Sequence, residues 1–225
     1  MPESANDLRR LYSARFKETA DYRSRVWKIL TKRFFSRWID PGDTVLDLGC
    51  GYGEFINHVP AGRKLAMDMN PDSESHLADG IEFIRQDCSE TWRIQDATLD
   101  HVFTSNFFEH LPGKDHLKKT LTEALRCLKP GGLLIAMGPN IKYLPGLYWD
   151  FFDHHTILTE SSLAEVLTLC GFEPETVIAR FLPYTLVNAA RPPLLLLPAY
   201  LSLPFLWWIK GRQFLVIARK PGPAL

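Results

Sequence analysis

The stretch VLDLGCGYGEF (45–55) decides the fold, because three glycines follow a short apolar run at alternate positions and two acids, Asp47 and Glu54, bracket them. Glycine accepts left-handed backbone and lets a ligand approach the main chain closely. A strand, a glycine turn and a helix in succession would aim backbone N–H groups and the positive end of a helix dipole at a small molecule. Two ligand classes use that geometry. The dinucleotide fingerprint G-x-G-x-x-G, begun at Gly49, requires glycine at 54; the chain has Glu54 there, an acid facing the place of a pyrophosphate. A phosphate ligand is disfavoured.

Outward from this turn, short apolar runs alternate with helical stretches: TVLDL (44–48), KLAMDM (64–69), EFIRQD (82–87), LDHVFTS (99–105) and GLLIAMG (132–138). Such runs read as buried strands, and their alternation with helices predicts a parallel sheet wrapped by helices. A helix is expected over 115–128, where Leu117, Leu121, Leu125 and Leu128 share a face, and Pro130, Gly131 and Gly132 end it. Another is expected over 161–170, with Leu163, Val166, Leu167 and Cys170 at helical spacing, a capping box of Ser162 and Glu165, and Gly171 as the C-terminal cap. ETVIARF (175–181) and QFLVIARK (213–220) suit the last two strands. Residues 4–39, with Val26, Leu30, Phe34 and Trp38 at steps of four, read as a helical cap stopped by Asp40, Pro41 and Gly42.

Composition narrows the function classes. The 225 residues carry 26 Lys and Arg against 26 Asp and Glu, with no long run of one sign, so the electrostatic footprint of a nucleic-acid binder is missing. Four cysteines lie far apart without a C-x-x-C pair, and MPESANDLRRLYSARF (1–16) lacks the apolar core of a signal peptide. The expectation is a reduced, cytoplasmic protein.

The run LDLGCGYGEF resembles the first motif of class I S-adenosylmethionine-dependent methyltransferases, D/E-x-G-x-G-x-G, matched at Asp47, Gly49, Gly51 and Gly53. Later landmarks fall in that family's order over roughly 40–220. The resemblance implies a Rossmann-like α/β fold with a seven-stranded, mostly parallel sheet and helices on both faces. It implies one domain over 1–225, with a cap (1–40), a core (41–181 and 211–220) and an apolar insertion (182–210). It assigns the cofactor to Asp47, Gly49, Cys50, Gly51 and Gly53; to Asp68, whose carboxylate would accept both ribose hydroxyls; and to Met69 against the adenine. Asp87 with the backbone of Cys88 would read the adenine edge, and Asn106 follows the fourth strand. Singly, Asp47 and Glu54 also suit a helix N-terminus, and Asp68 and Asp87 a turn.

The sulfonium is already a good electrophile, so transfer needs chiefly an in-line nucleophile held close. An alcohol must also lose its proton, and histidine is the natural base at neutral pH. Candidates are His110 in NFFEHLP and His154 or His155 in WDFFDHHTILTE, with Tyr148, Trp149 and Phe152 as neighbours suited to a sugar or a ring. The same histidines also suit a loop in which they only tie down backbone. NFFEH with the later DHH also resembles the E-x-x-E-H pattern and distant histidine of metal-dependent ribose 2′-O-methyltransferases. Asn106 stands where that pattern wants a carboxylate, which lowers the charge of the site, and no metal is expected.

The chain as a whole is similar to methyltransferases of bacterial surface-polysaccharide and other glycan pathways. The expected reaction moves a methyl group from S-adenosylmethionine to a hydroxyl or amine of a small-molecule acceptor, a sugar or lipid-linked glycan, leaving S-adenosylhomocysteine. Alternatives are a quinone precursor or lipid metabolite as acceptor, or a non-catalytic cofactor-binding scaffold. Residues 192–209 are apolar, but Pro192, Pro193, Pro198 and Pro204 break them. A spanning helix is therefore not expected. Tyr200, Trp207 and Trp208, flanked by Arg191 and Lys210, have the composition of an interfacial element that would hold the protein peripherally at the inner face of the cell membrane. A contact buried against protein is the other reading of this segment.

Overall fold

The computed structural model describes residues 20–184 and 192–222. The described chain begins with helix α1 (Ala20–Arg33) and a 3-10 turn (Phe35–Arg37). Strands β1 (Thr44–Leu48), β2 (Arg63–Asp68), β3 (Glu82–Arg85) and β4 (Leu99–Ser105) follow. Helix α2 (Lys114–Cys127) leads into β5 (Leu128–Pro139), and helix α3 (Glu160–Leu169) into β6 (Glu173–Ile178). Two short helices, α4 (Leu197–Ser202) and α5 (Pro204–Lys210), precede β7 (Gln213–Arg219).

The seven strands form one sheet in the order β3-β2-β1-β4-β5-β7-β6. Pairings from β3 through β5 are parallel, while β7 runs antiparallel between β5 and β6. Side chains alternate across the strands, so each face builds its own core. Leu46, Leu48, Val102 and Leu134 pack with Leu117 and Leu121 of α2 and Leu163 and Leu167 of α3. Val45, Phe103 and Ile135 pack on the opposite face with Leu30, Phe34, Phe35 and Trp207. The cap helix therefore closes a core instead of lying loose on the surface. Strand order reverses at β1 and β4, where the connections diverge and leave a crevice beyond their C-terminal ends.

Four local readings of the sequence need correction. After the glycine turn, residues 51–59 form successive turns with i→i−4 bonds only at Asn57 and Val59, because Gly53 is left-handed (φ 73°) and Pro60 leaves too few residues for a regular helix. Helix α2 ends at Cys127, and the strand runs on through Pro130, Gly131 and Gly132. A Cβ at Gly132 would lie 2.9 Å from the backbone oxygens of Asp100 and Lys129, so glycine is what lets the strand pass. The capping box of α3 is Thr159 with Ser162, one turn earlier than Ser162 with Glu165, because Thr159 is the extended residue before the helix. In the apolar segment Trp207 is buried at 8% exposure and donates to the Tyr200 carbonyl at 2.7 Å, so of the two tryptophans only Trp208, at 72%, faces outward. The expected N-terminal part of the cap and Arg191 lie outside the described residues.

Candidate active site

The turn after β1 is built from backbone. Gly49 and Cys50 both donate to the carbonyl of Met67 on β2, at 2.9 and 3.1 Å, and Gly53 donates to Cys50 at 2.8 Å. Gly49, Gly51 and Gly53 all have positive φ, of 71°, 53° and 73°. A Cβ on Gly49 would sit 2.3 Å from the Phe107 ring, so the turns after β1 and β4 close on each other only through glycine. Asp68, at the end of β2, faces this turn. Its Oδ2 accepts from Gly51 N–H and its Oδ1 from Asn70 N–H, both at 2.8 Å. Burial holds its carboxyl above the usual carboxylate value, against the opposing pull of those N–H groups. Each carboxylate oxygen keeps a second lone pair, enough to receive a diol from a ligand above the turn. Met69, next along, is 43% exposed and open to a flat ring. A left-handed glycine cradle with an acid beside it at the switch point fits the nucleoside and amino-acid parts of S-adenosylmethionine.

The remaining candidates on this side divide into those that face a ligand and those that hold the turn. Asp47 is 3% exposed, so its carboxylate lies within the fold beneath the turn and is not open to a ligand. Burial, then the nearby charge of Glu54, pushes it well above the usual carboxylate range. Glu54 itself pairs with Arg23 of α1 at 2.9 Å and tethers the cap. The side chain of Cys50 packs in the core beneath the cap. Asp87 turns one oxygen onto Ser89 N–H and Oγ, both 2.8 Å away, which leaves the other for a ligand, and the Cys88 thiol accepts from Thr120, so Cys88 can offer only its backbone. Asn106 is exposed, with left-handed φ of 50° and its amide turned to Ser105.

The acceptor side is built from side chains. The segment after β5 is anchored by Asn140, whose amide donates to Glu160 at 2.6 Å and to the Ala179 carbonyl at 2.9 Å, while Lys142 pairs with the same glutamate. Its far end is sewn to the turn after β4: His155 N–H and Thr156 N–H both donate to the Glu109 carbonyl, and Thr156 Oγ1 donates to the Leu111 carbonyl at 2.7 Å. These bonds choose between the two histidines. His154 is turned inward at 6% exposure, between Phe151, Tyr148 and His110 with ring centroids 4.7–5.0 Å away. His155 is exposed and stands outside the cluster. Tyr148 is fully buried, whereas Trp149 and Phe152 are exposed at 55% and 91%.

Two acids complete this cluster as a proton-handling site: Glu109, which the sequence offered only within the metal-binding pattern, and Asp153, which sequence reasoning passed over. His110 Nδ1 lies 3.1 Å from both Oδ2 and the backbone oxygen of Asp153, two acceptors that place a proton on Nδ1 and leave Nε2 as the open nitrogen. Burial alone would lower the His110 pKa; the Asp153 hydrogen bond and the charge of Glu109 raise it above its usual value. Glu109 is 2% exposed, and burial pushes its carboxyl up to about 7. Among the described residues no lysine or arginine pairs with it. The adjacency of an acid and a histidine in both FFEH and FDHH was the available signal. Phe107, on the same connection as His110, packs against Gly49, and His110 acts electrostatically on Asp68, so the cluster stands beside the glycine turn.

The family model described as a methyltransferase domain matches residues 19–177. The chain belongs to this methyltransferase-domain family. Among curated relatives it is 31% identical over 118 residues to "Probable methyltransferase ltbC" of Aspergillus luteorubrus, covering 45% of this chain and 41% of that protein. It is 29% identical over 149 residues to the ubiquinone/menaquinone biosynthesis C-methyltransferase UbiE of Brucella anthropi, covering 59% of this chain and 55% of that one. The chain thus spans about half the length of the curated relatives it matches. A methyltransferase solved with the Haloferax volcanii Trm112 methyltransferase activator aligns with TM-score 0.66 at 18% identity, over 91% of this chain and 93% of that one. A methyltransferase dependent on S-adenosylmethionine from Archaeoglobus fulgidus aligns with TM-score 0.63 at 20% identity, over 86% and 92%. These structures share the fold, and family and fold together imply S-adenosylmethionine as the cofactor.

Proposed function

We propose that the protein transfers a methyl group from S-adenosylmethionine to a hydroxyl of a sugar or glycan intermediate. The observation that carries this reading is the cluster of Glu109, His110, Asp153 and His154 beside the glycine turn. Bound in the crevice, the cofactor supplies an electrophilic methyl on a sulfonium. Asp68 and the turn hold the donor, with Met69 against the adenine and the Asp87 carboxylate and Cys88 backbone N–H at its edge. The polar cluster deals with the hydroxyl proton, which a free-amine or carboxylate acceptor would not require. The bond formed is acceptor oxygen to methyl carbon; the bond broken is carbon to sulfur, whose electron pair stays on sulfur to give S-adenosylhomocysteine. Exposed Trp149 and Phe152 border the segment and offer apolar faces to a sugar ring.

A lipid-linked acceptor is supported by a second surface. Leu195, Leu196, Phe205, Trp208 and Ile209 are exposed, and a groove of about 520 Å³ between α1 and this segment is lined by Arg25, Lys28, Ile29, Leu194, Leu195 and Pro198. Apolar side chains beside cations suit an anionic membrane surface, and among the described residues no helix is long and apolar enough to cross one. The proposal is therefore peripheral contact through residues 192–209. The likeness to UbiE favours a second reading, methylation of a quinone precursor or lipid metabolite.

Mass-spectrometric screening of nucleotide sugars, lipid-linked glycans and quinone precursors for gain of one methyl group tests the acceptor. Methylation of a sugar hydroxyl is expected; product formed only from a quinone precursor would replace the first reading with the second. Co-sedimentation with anionic vesicles, lost on Trp208→Ser, is the expected membrane result, and no sedimentation of the wild type would remove the membrane contact.

A further inference from the structure

We propose that Glu109, His110 and His154 form a binding site for one divalent first-row transition-metal cation, which receives the acceptor hydroxyl. Each residue offers a ligand atom, and the three atoms lie within 4.8 Å of one another. Donors on one ion stand roughly 3–4 Å apart when the bonds are about 2.0–2.2 Å long, so small side-chain rotations close this set on a cation. The residues reach one point from two directions: Glu109 and His110 from the 3-10 turn after β4 (Phe108–His110), and His154 from the segment sewn to that turn through His155 and Thr156.

Three features make this a built site. The Asp153 carboxylate and carbonyl hold His110 at Nδ1, which orients Nε2 as a ligand in the carboxylate–histidine–metal arrangement. Glu109 is 2% exposed with no lysine or arginine pairing it among the described residues, so a carboxylate lies where a cation would neutralise it. The His110 side chain is 28% exposed while Glu109 and His154 are buried, so the open side of a three-ligand site faces the crevice. Two imidazoles with one carboxylate suit Mn²⁺, Co²⁺ or Zn²⁺ better than Mg²⁺ or Ca²⁺, which prefer all-oxygen shells. The expectation of no metal rested on Asn106 standing in place of a carboxylate; its amide is turned to Ser105, and the three donors are grouped without it.

The chemical purpose rests on the hydroxyl-acceptor reading. A hydroxyl on the cation loses its proton to water more readily than a free one. Its oxygen pair then bonds the methyl carbon as the carbon–sulfur bond breaks with its pair on sulfur, and the cation is neither oxidised nor reduced.

The test begins with metal-stripped full-length protein titrated with CoCl₂, MnCl₂ and MgCl₂ by calorimetry, with the Co²⁺ visible spectrum recorded alongside. One Co²⁺ per chain with a histidine-ligand spectrum, bound more tightly than Mg²⁺, is expected. Glu109→Gln and His154→Asn should each abolish that spectrum, and Asp153→Asn should weaken binding about 10–100-fold. Retained S-adenosylhomocysteine binding serves as the check that each variant is folded. Absence of stoichiometric Co²⁺ binding by the wild type, or binding unchanged in folded Glu109→Gln and His154→Asn, overturns the proposal. Full turnover on a sugar hydroxyl by the stripped enzyme in EDTA would also overturn it while leaving the hydroxyl reading intact, whereas a metal-loaded enzyme that methylates only carbon would fail that reading and spare the site.

Discussion

The two halves of the crevice are made of different material. After β1 the surface is main chain, shaped by three left-handed glycines with the buried Asp47 beneath. After β5 it is side chain, a carboxylate and imidazole cluster assembled from two connections 43 residues apart at His110 and Asp153. Backbone surfaces tolerate little substitution but demand few particular side chains; side-chain surfaces keep their shape when altered and lose their chemistry. Donor binding and methyl transfer should therefore be separable by mutation.

The largest separation is expected at the imidazoles. His154→Ala and His110→Ala should each depress turnover about 10²–10⁴-fold with cofactor affinity retained, while His155→Ala stays near wild type in the same assay. Equal losses at 154 and 155 would break the distinction that burial draws between them. On the other half, Gly49→Ala introduces a Cβ 2.3 Å from the Phe107 ring at φ 71°. It should destabilise the protein by about 2–5 kcal/mol through crowding and left-handed strain, as denaturant unfolding would measure. Asp68→Ala removes the acceptor facing the turn and should weaken cofactor binding about 10–100-fold by calorimetry, from lost charge-assisted hydrogen bonds worth about 1.5–3 kcal/mol.

The smallest expected effect lies outside the crevice and calibrates the others. Burial would raise Asp100, but Lys129, 2.8 Å away, and Thr44 N–H at 2.9 Å lower its pKa below the usual carboxylate value. A depressed folded-state value means stability present above the unfolded value and lost as pH falls through the folded one. Asp100→Asn should therefore cost about 1 kcal/mol at neutral pH, discounted for its partial exposure, and nothing in strong acid.

The same contrast explains what could be read from sequence. Strand β1 and the glycine turn were legible because left-handed backbone has few solutions other than glycine, and the buried strands because their apolar runs are too short for helices and are bounded by turn residues. Choices between adjacent residues were not. His154 against His155, and Trp207 against Trp208, differ by one position, and neighbours on a turn or helix point about 100° apart, so only long-range partners decide which faces in. For His154 they act through its neighbours His155 and Thr156, whose N–H groups bond the Glu109 carbonyl; for Trp207 they are Phe34, Phe181 and the Tyr200 carbonyl. The ion-pair partner of Glu54 was equally hidden. The position of Glu54 beside the turn was evident, but Arg23, 31 residues earlier, determines what it does.

The most direct test of the account pairs S-adenosylmethionine affinity with turnover on the acceptor found by screening, in two variants measured side by side. Gly51→Val should lose cofactor binding, and His154→Ala should bind the cofactor as the wild type does while forming little S-adenosylhomocysteine. Cofactor binding lost equally in His154→Ala, or turnover retained there, would contradict a crevice divided into a backbone half that holds the donor and a side-chain half that serves the acceptor.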